Sequence, residues 1–219
     1  MTDAARATPR DLEALNSWHA DWRGARVAVL GLSVTGFSAA DTLAELGADV
    51  LVVTESASEE YARLVPVVGA RLWEGDLSAA PQELIDFAPD IVVASPGFPP
   101  HHPVISWVRE QGIALWGDIE LAWRVRDKLG DPADWIAVTG TNGKTTTVQL
   151  VTHLLEGAGL RAAAVGNIGV PVLDAIRYPA GFDVLVVELS SHQLWYLSLA
   201  DGAGEIVDGV GLLCVGKPH

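Results

Sequence analysis

The chain has 219 residues, room for one or two domains at roughly 100–200 residues each. Apolar residues make up 49% and charged residues 19%, which excludes an intrinsically disordered chain. With 14 Lys and Arg against 28 Asp and Glu, the net charge of −14 argues against gripping nucleic acid through its phosphates, and no apolar run reaches the roughly 18 residues of a membrane span.

The first 23 residues predict a helical extension. Thr8 suits an N-cap, Pro9 the first helical position, and Asp11 completes a capping box. Leu12, Leu15, Trp18 and Trp22 then fall on one side of that helix, a stripe expected to pack on the body of the protein. The N-terminus carries Asp3, Arg6, Arg10 and Asp11 and no apolar stretch, so a signal peptide is not expected. The single cysteine, Cys214, makes neither an internal disulfide nor a zinc cluster. A soluble cytoplasmic α/β protein is the expected class.

From Arg26 strands and helices alternate. RVAVLG reads as a buried strand, TGFSAADTLAELG as a helix stopped by Gly47, and DVLVVT as a second strand. Weaker elements follow: a helix near Glu59–Leu64, a strand near Ala70–Trp73 and a helix near Gln82–Phe87. IVVAS is a strand, HPVISWVREQG a helix, IALWG a short strand and DIELAWRVRDKL a helix. Short β-branched runs between amphipathic helices indicate a parallel sheet covered on both faces. Gly130–Asp134 (GDPAD) suits a linker. The alternation then restarts: WIAVTG as a strand, a helix over about Lys144–Glu156, RAAAVG as a strand, PVLDAIR as a short helix and DVLVVELSS as a strong strand. Ala200–His219 is glycine-rich and has no clear period, so no structure is assigned to it. The expected organisation is a helical extension over 1–23, one α/β domain over 24–129 and a second, incomplete one over 131–219.

Two turns carry chemistry. VTGTNGKTT, at 138–146, follows an apolar strand and opens a helix. Gly140 and Gly143 allow a tight turn whose N–H groups converge, and the helix start adds partial positive charge. Thr141, Asn142 and Thr146 complete the cradle. Lys144, one of only three lysines, can reach the β- and γ-phosphates, and Thr145 can place its hydroxyl on Mg²⁺. Val138 stands where the general P-loop pattern has glycine. Glu188, closing the Asp183–Val187 run, is the expected metal partner; an exposed strand-end glutamate is the alternative.

The other turn, Gly31-Leu32-Ser33-Val34-Thr35-Gly36, resembles GxGxxG with Ser33 at the second glycine. A nicotinamide cofactor, a diphosphate-bearing substrate and a purely structural turn all remain open for it. Residues 1–130 carry 19 acids and 10 bases and residues 131–219 carry 9 and 4, so anionic ligands approach both halves against the field. Binding must come from local N–H groups, Lys144 and Mg²⁺.

The motif VTGTNGKTTT resembles the short P-loop of the Mur ligases and folylpolyglutamate synthases. GLSVTG at 31–36, SPGFPPHHP at 95–103, GDIELAWR at 117–124, GNIGVP at 166–171 and VVELSSHQL at 186–194 narrow the resemblance, in order and spacing, to the D-glutamate-adding branch of the Mur ligases. The resemblance runs from about residue 18 to residue 199. It implies a Rossmann-like, UDP-binding first domain and a P-loop ATPase-like central domain. It also implies ATP and Mg²⁺ as cofactors, and UDP-N-acetylmuramoyl-L-alanine and D-glutamate as substrates. The implied reaction is an amide ligation through an acyl phosphate, in peptidoglycan synthesis. Carried over residue by residue, Gly140 to Thr146 cradle ATP, with Lys144 on the transferring phosphoryl group and Thr145 and Glu188 near Mg²⁺. Lys144 and Glu188 then count as catalytic. Ser33, Val34 and Thr35, with Ser95, Pro96 and Gly97, hold the uridine diphosphate, and Asn167 and Ser190 contact the muramoyl-alanine end. The family often ends its second strand with an acidic residue on the uracil; here Thr54 holds that place with Glu55 next. His192 stands where that branch usually has an aromatic residue, and its plain reading is a polar strand-end side chain.

After SSxQL the family continues with an apolar strand, an Asp-His pair, a carbamylated lysine and a third domain. None of these is recognised in this sequence, so the expectation is an N-terminal part with a truncated central domain, unable to ligate alone. Three alternatives remain: another Mur ligase of the MurE or MurC type, a UDP-sugar-binding module without catalysis, and an NAD(P)-dependent oxidoreductase.

Overall fold

The computed structural model describes residues 11–199 and the backbone of 210–215. Thr8 and Pro9, the proposed cap, lie outside the described residues. Residues 11–25 run as turns and bends, not as the expected helix. The reason is tertiary. Asp127 accepts from Ser17 Oγ at 2.5 Å and from the Trp18 N–H at 2.6 Å, which ties this segment to a partner more than a hundred residues away. The apolar stripe packs as expected, with Leu15 and Trp22 fully buried.

Five strands form the first sheet: β1 (Arg26–Leu30), β2 (Asp49–Thr54), β3 (Arg71–Glu74), β4 (Ile91–Ala94) and β5 (Ala114–Gly117). All pair in parallel, in the order β3-β2-β1-β4-β5. The connecting helices are α1 (Val34–Glu45), α2 (Glu59–Val67), α3 (Gln82–Phe87) and α4 (Pro103–Glu110), followed by α5 (Asp118–Arg124). β1 and β4 are buried along nearly their whole length, as strands covered on both faces must be. The chain order reverses between β1 and β4, where ligands bind in open parallel sheets.

The second sheet runs β7-β8-β6-β9, again all parallel. Its strands are β6 (Asp134–Gly140), β7 (Ala162–Gly166), β8 (Val184–Glu188) and β9 (Val210–Val215). Its helices are α6 (Lys144–Gly157), α7 (Val172–Arg177) and α8 (Ser191–Leu197). Two elements differ from expectation. The strong strand stops at Glu188, and Ser190 caps a helix instead of extending it. The segment left without structure contains an apolar strand, β9, whose backbone pairs with β6 from Trp135↔Val210 to Gly140↔Val215.

One core joins the two sheets. Trp22 meets Trp116 edge-on at 6.4 Å between ring centroids, and Trp123 meets Trp135 at 5.3 Å, geometries that aromatic quadrupoles favour. Beside them Arg177 of α7 reaches Asp41 at 2.5 Å and Glu45 at 3.0 Å on α1, and Ser38 donates to Asp174 at 2.5 Å. Among the described residues no helix is long and apolar enough to cross a membrane.

Candidate nucleotide and substrate site

β6 delivers the chain to the C-terminal edge of its sheet at Gly140, and α6 begins at Lys144. Gly140 has φ 144° and Gly143 φ 79°, values that side-chain-bearing residues rarely adopt, so the glycines make the turn possible. Thr141, Asn142 and Gly143 are exposed, so the loop presents its backbone outward. Lys144 is half-buried and curls over this loop, with Nζ donating to the Gly140 carbonyl at 2.8 Å.

The neighbouring strand brings the acid. Register places Glu188 beside Val138 on one side and beside Gly166 on the other. Its side chain is 2% exposed, and both oxygens are engaged. Oε2 accepts from Thr145 Oγ1 at 2.8 Å, and Oε1 accepts from Asn167 Nδ2 at 3.1 Å. The exposed strand-end alternative for Glu188 is thereby excluded. Gly166 lets the β7 end approach so closely, since a Cβ there would lie 2.5 Å from the Glu188 carbonyl oxygen. Lys144, Thr145, Glu188 and Asn167 thus converge from three segments. Ser190 follows two residues after Glu188, and the intervening Leu189 N–H donates to the Val138 carbonyl at 2.9 Å.

A hydroxyl, a carboxylate and a lysine at a Gly-rich helix start are the donor set for Mg²⁺ and a polyphosphate. Among the described residues no group of three or more His, Cys, Asp or Glu side chains comes together. One hydroxyl and one carboxylate would leave most of a cation's oxygens to phosphate and water, a set that suits Mg²⁺.

The first glycine-rich turn forms a second cluster. Ser33 caps α1 in extended backbone (φ −116°, ψ −171°) and, like Val34, is exposed; Thr35 is half-buried. Gly36 presses on the turn, and a Cβ there would meet the Gly31 carbonyl oxygen at 2.0 Å. The loop after β4 lies alongside: the Ser95 N–H donates to the Leu30 carbonyl at 3.0 Å and Ser95 Oγ to the Gly31 carbonyl at 3.4 Å. The Ser95–Gly97 loop thus runs beside the Gly31 end of the turn, with Ser95 buried, Pro96 half-buried and Gly97 exposed. Thr54 is buried and its Oγ1 donates to the Ser56 carbonyl, while Glu55 beside it is exposed.

Helix α8 links the clusters, which the sequence did not reveal. His192 lies in this helix, not at a strand end, with Nδ1 3.0 Å from the Pro96 carbonyl oxygen. Tyr196 Oη donates to the Phe98 carbonyl at 2.9 Å. Gln193 Nε2 donates to Asp118 Oδ2 at 2.9 Å. Asp118 is 5% exposed, and its Oδ1 has no hydrogen-bond partner. Burial pushes its carboxyl up to about 6, with the Gln193 bond and the first N–H groups of α5 pulling the other way. The S-x-x-Q spacing of Ser190 and Gln193 was the available signal, since it forms a full capping box.

Two family models match in chain order: the N-terminal domain of MurD-like Mur ligases over residues 25–117, and the Mur ligase middle domain over residues 138–202. A UDP-N-acetylmuramoylalanine–D-glutamate ligase of Leifsonia xyli subsp. xyli is 59% identical over 207 residues, covering 91% of this chain and 40% of the relative. One of Tropheryma whipplei (strain Twist) is 48% identical over 205 residues, covering 93% of this chain and 41% of the relative. Among solved structures, a UDP-N-acetylmuramate:L-alanyl-γ-D-glutamyl-meso-diaminopimelate ligase of Neisseria meningitides aligns with a TM-score of 0.47 at 21% identity, over 75% of this chain and 52% of that one. The chain thus spans about 40% of the length of the curated relatives it matches. Two consecutive domain models on the two sheets, and relatives this similar along nearly the whole chain, establish that it belongs to the Mur ligase family.

Proposed function

We propose that the chain supplies the Mg·ATP site and the UDP-sugar site of a ligase that adds D-glutamate to UDP-N-acetylmuramoyl-L-alanine in peptidoglycan synthesis. The observation that carries this reading is the Thr145 Oγ1–Glu188 Oε2 bond of 2.8 Å at the mouth of the Gly140–Lys144 turn. It brings a hydroxyl and a buried carboxylate together beside a phosphate cradle. The names of the similar ligases support the choice of substrates.

On this reading the muramoyl-alanine carboxylate attacks the γ-phosphorus of ATP, and ADP leaves. The amine of D-glutamate then attacks the acyl phosphate, and phosphate leaves from the tetrahedral intermediate. The protein's part is positioning and charge neutralisation. The N–H groups of 140–143 hold the phosphates in place. Lys144 exchanges its Gly140 carbonyl for phosphoryl oxygen and offsets the developing charge. Thr145 and Glu188 would hold Mg²⁺, whose charge lowers the repulsion between the phosphates and the attacking carboxylate. Asn167 fixes the carboxylate of Glu188. Asn167 and Ser190 stand at the muramoyl-alanine end, and Ser33–Thr35 with Ser95–Gly97 bind the diphosphate through backbone and hydroxyl groups.

Isothermal titration of the 219-residue chain tests this reading. Mg²⁺ with a non-hydrolysable ATP analogue is expected to bind, as is UDP-N-acetylmuramoyl-L-alanine, with UDP-muramoyl peptides binding more weakly. A chain that binds neither nucleotide, or that prefers a longer peptide, overturns it.

A further inference from the structure

One short helix lies between segments that border the two phosphate-binding turns: it follows Glu188 of β8 and rests on the loop after β4. α8 starts at the Ser190 cap, two residues beyond Glu188, and lies against β5 and the loop after β4. Gln193 in its first turn is 1% exposed, and its amide has a fixed orientation. Oε1 accepts from the Ser190 N–H at 2.9 Å, so Nε2 must face the other way, onto Asp118 Oδ2. The next contacts, His192 to Pro96 and Tyr196 to Phe98, seat the same helix on the Ser95–Phe98 loop. Gly117, just before Asp118, leaves the space: a Cβ there would lie 2.9 Å from Tyr196 Cβ. A buried polar link of this kind is stiff, because losing one partner leaves the other desolvated and unpaired.

We infer that Asp118 is a positioning residue: through Gln193 it fixes the start of α8, so that the Glu188–Ser190 end of β8 and the Ser95–Phe98 loop shift as one unit. Occupancy of either phosphate-binding turn is then felt at the other. The inference rests on the reading of those turns as nucleotide sites. Coupling of this kind is reciprocal, so it is measurable from either side.

The experiment uses the 219-residue chain with UDP and with Mg²⁺ plus adenylyl imidodiphosphate, each titrated alone and in the presence of the other. The wild-type chain is expected to show a shift in Kd of about fivefold or more, equal in both directions. Asp118→Ala is expected to cut the coupling to about twofold or less while each ligand alone still binds within about threefold of wild type. Asp118→Asn, whose amide oxygen can accept the same bond from Gln193, restores the coupling. Hydrogen exchange on the wild-type chain gives a second measurement that needs no variant: either ligand alone raises protection across Gln193–Leu197. Two ligands that bind independently overturn the inference and leave the proposed function standing. So does coupling that survives Asp118→Ala, an Asn variant that behaves like Ala, or α8 protection that ignores one ligand. Failure of both ligands to bind overturns the reading of the sites themselves.

Discussion

The Gly31–Gly36 turn and the Gly140–Thr146 turn leave corresponding ends of their sheets and each opens a helix, but they differ in what stands around them. The first is closed from behind. Gly36 packs on the Gly31 carbonyl, Ser95 lies across it, and among the described residues no lysine or buried acid is bonded to it. The second is open in front, with an exposed loop, an ammonium curled over it and a carboxylate on the neighbouring strand. A turn that only has to hold a diphosphate can rely on rigid backbone. One that handles a phosphoryl group in transit, as proposed for the second, calls for a nearby ammonium and a carboxylate able to hold a metal. On the proposed reading, the contrast also accounts for anion binding by a chain of net charge −14, since each turn offers local donors that long-range attraction cannot supply.

The sharpest way to break the contrast is Gly36→Ala. The added methyl meets a backbone oxygen at 2.0 Å, so a loss of about 4 kcal/mol or more is expected in urea unfolding. Lys144→Ala leaves the fold intact and is expected to weaken Mg·nucleotide binding by about a hundredfold in calorimetry, with UDP binding unchanged. Asp118, which holds Gln193 of α8, gives a pH signature. Its folded carboxyl sits at about 6, above the unfolded value, so the folded state holds its proton more tightly. Stability is then full below about pH 4 and declines as pH rises through about 6, by about 3 kcal/mol at most. Asp118→Asn is expected to remove that slope in thermal melts run from pH 4 to pH 8. Glu188→Gln keeps a partner for Thr145 but loses the charge; Mg²⁺-dependent nucleotide affinity is expected to fall about tenfold. Arg177→Ala, which removes ion pairs with Asp41 and Glu45, is expected to cost about 1 kcal/mol in the same melts.

Much of this was legible because the chemistry is local. The Gly140–Thr146 turn and the Val184–Glu188 strand each carry their signal within ten residues, and the structure brings them side by side. The parallel alternation and most helix positions followed from apolar periodicity. What could not be read depends on distant partners. Leu12 to Trp22 have helical spacing, yet Asp127 draws Ser17 and Trp18 into turns. The helix at Ser191 was hidden because a strong strand runs directly into its cap, so SSH read as strand end. Val210–Val215 has no period of its own, and its pairing with β6 defines it. The Asp118–Gln193 bond spans 75 positions and leaves no trace in either local pattern.

The clasp at Arg177 sits between two halves of the same sign: residues 1–130 and 131–219 each carry an excess of acids. One guanidinium from the second half meets two carboxylates of the first, while the remaining surfaces push apart. Added salt screens the attraction and the repulsion together, over a distance of about 10 Å at 0.1 M. The two influences oppose each other, so the seam between the halves is expected to respond less to salt than either influence alone would require, while its indole contact is untouched.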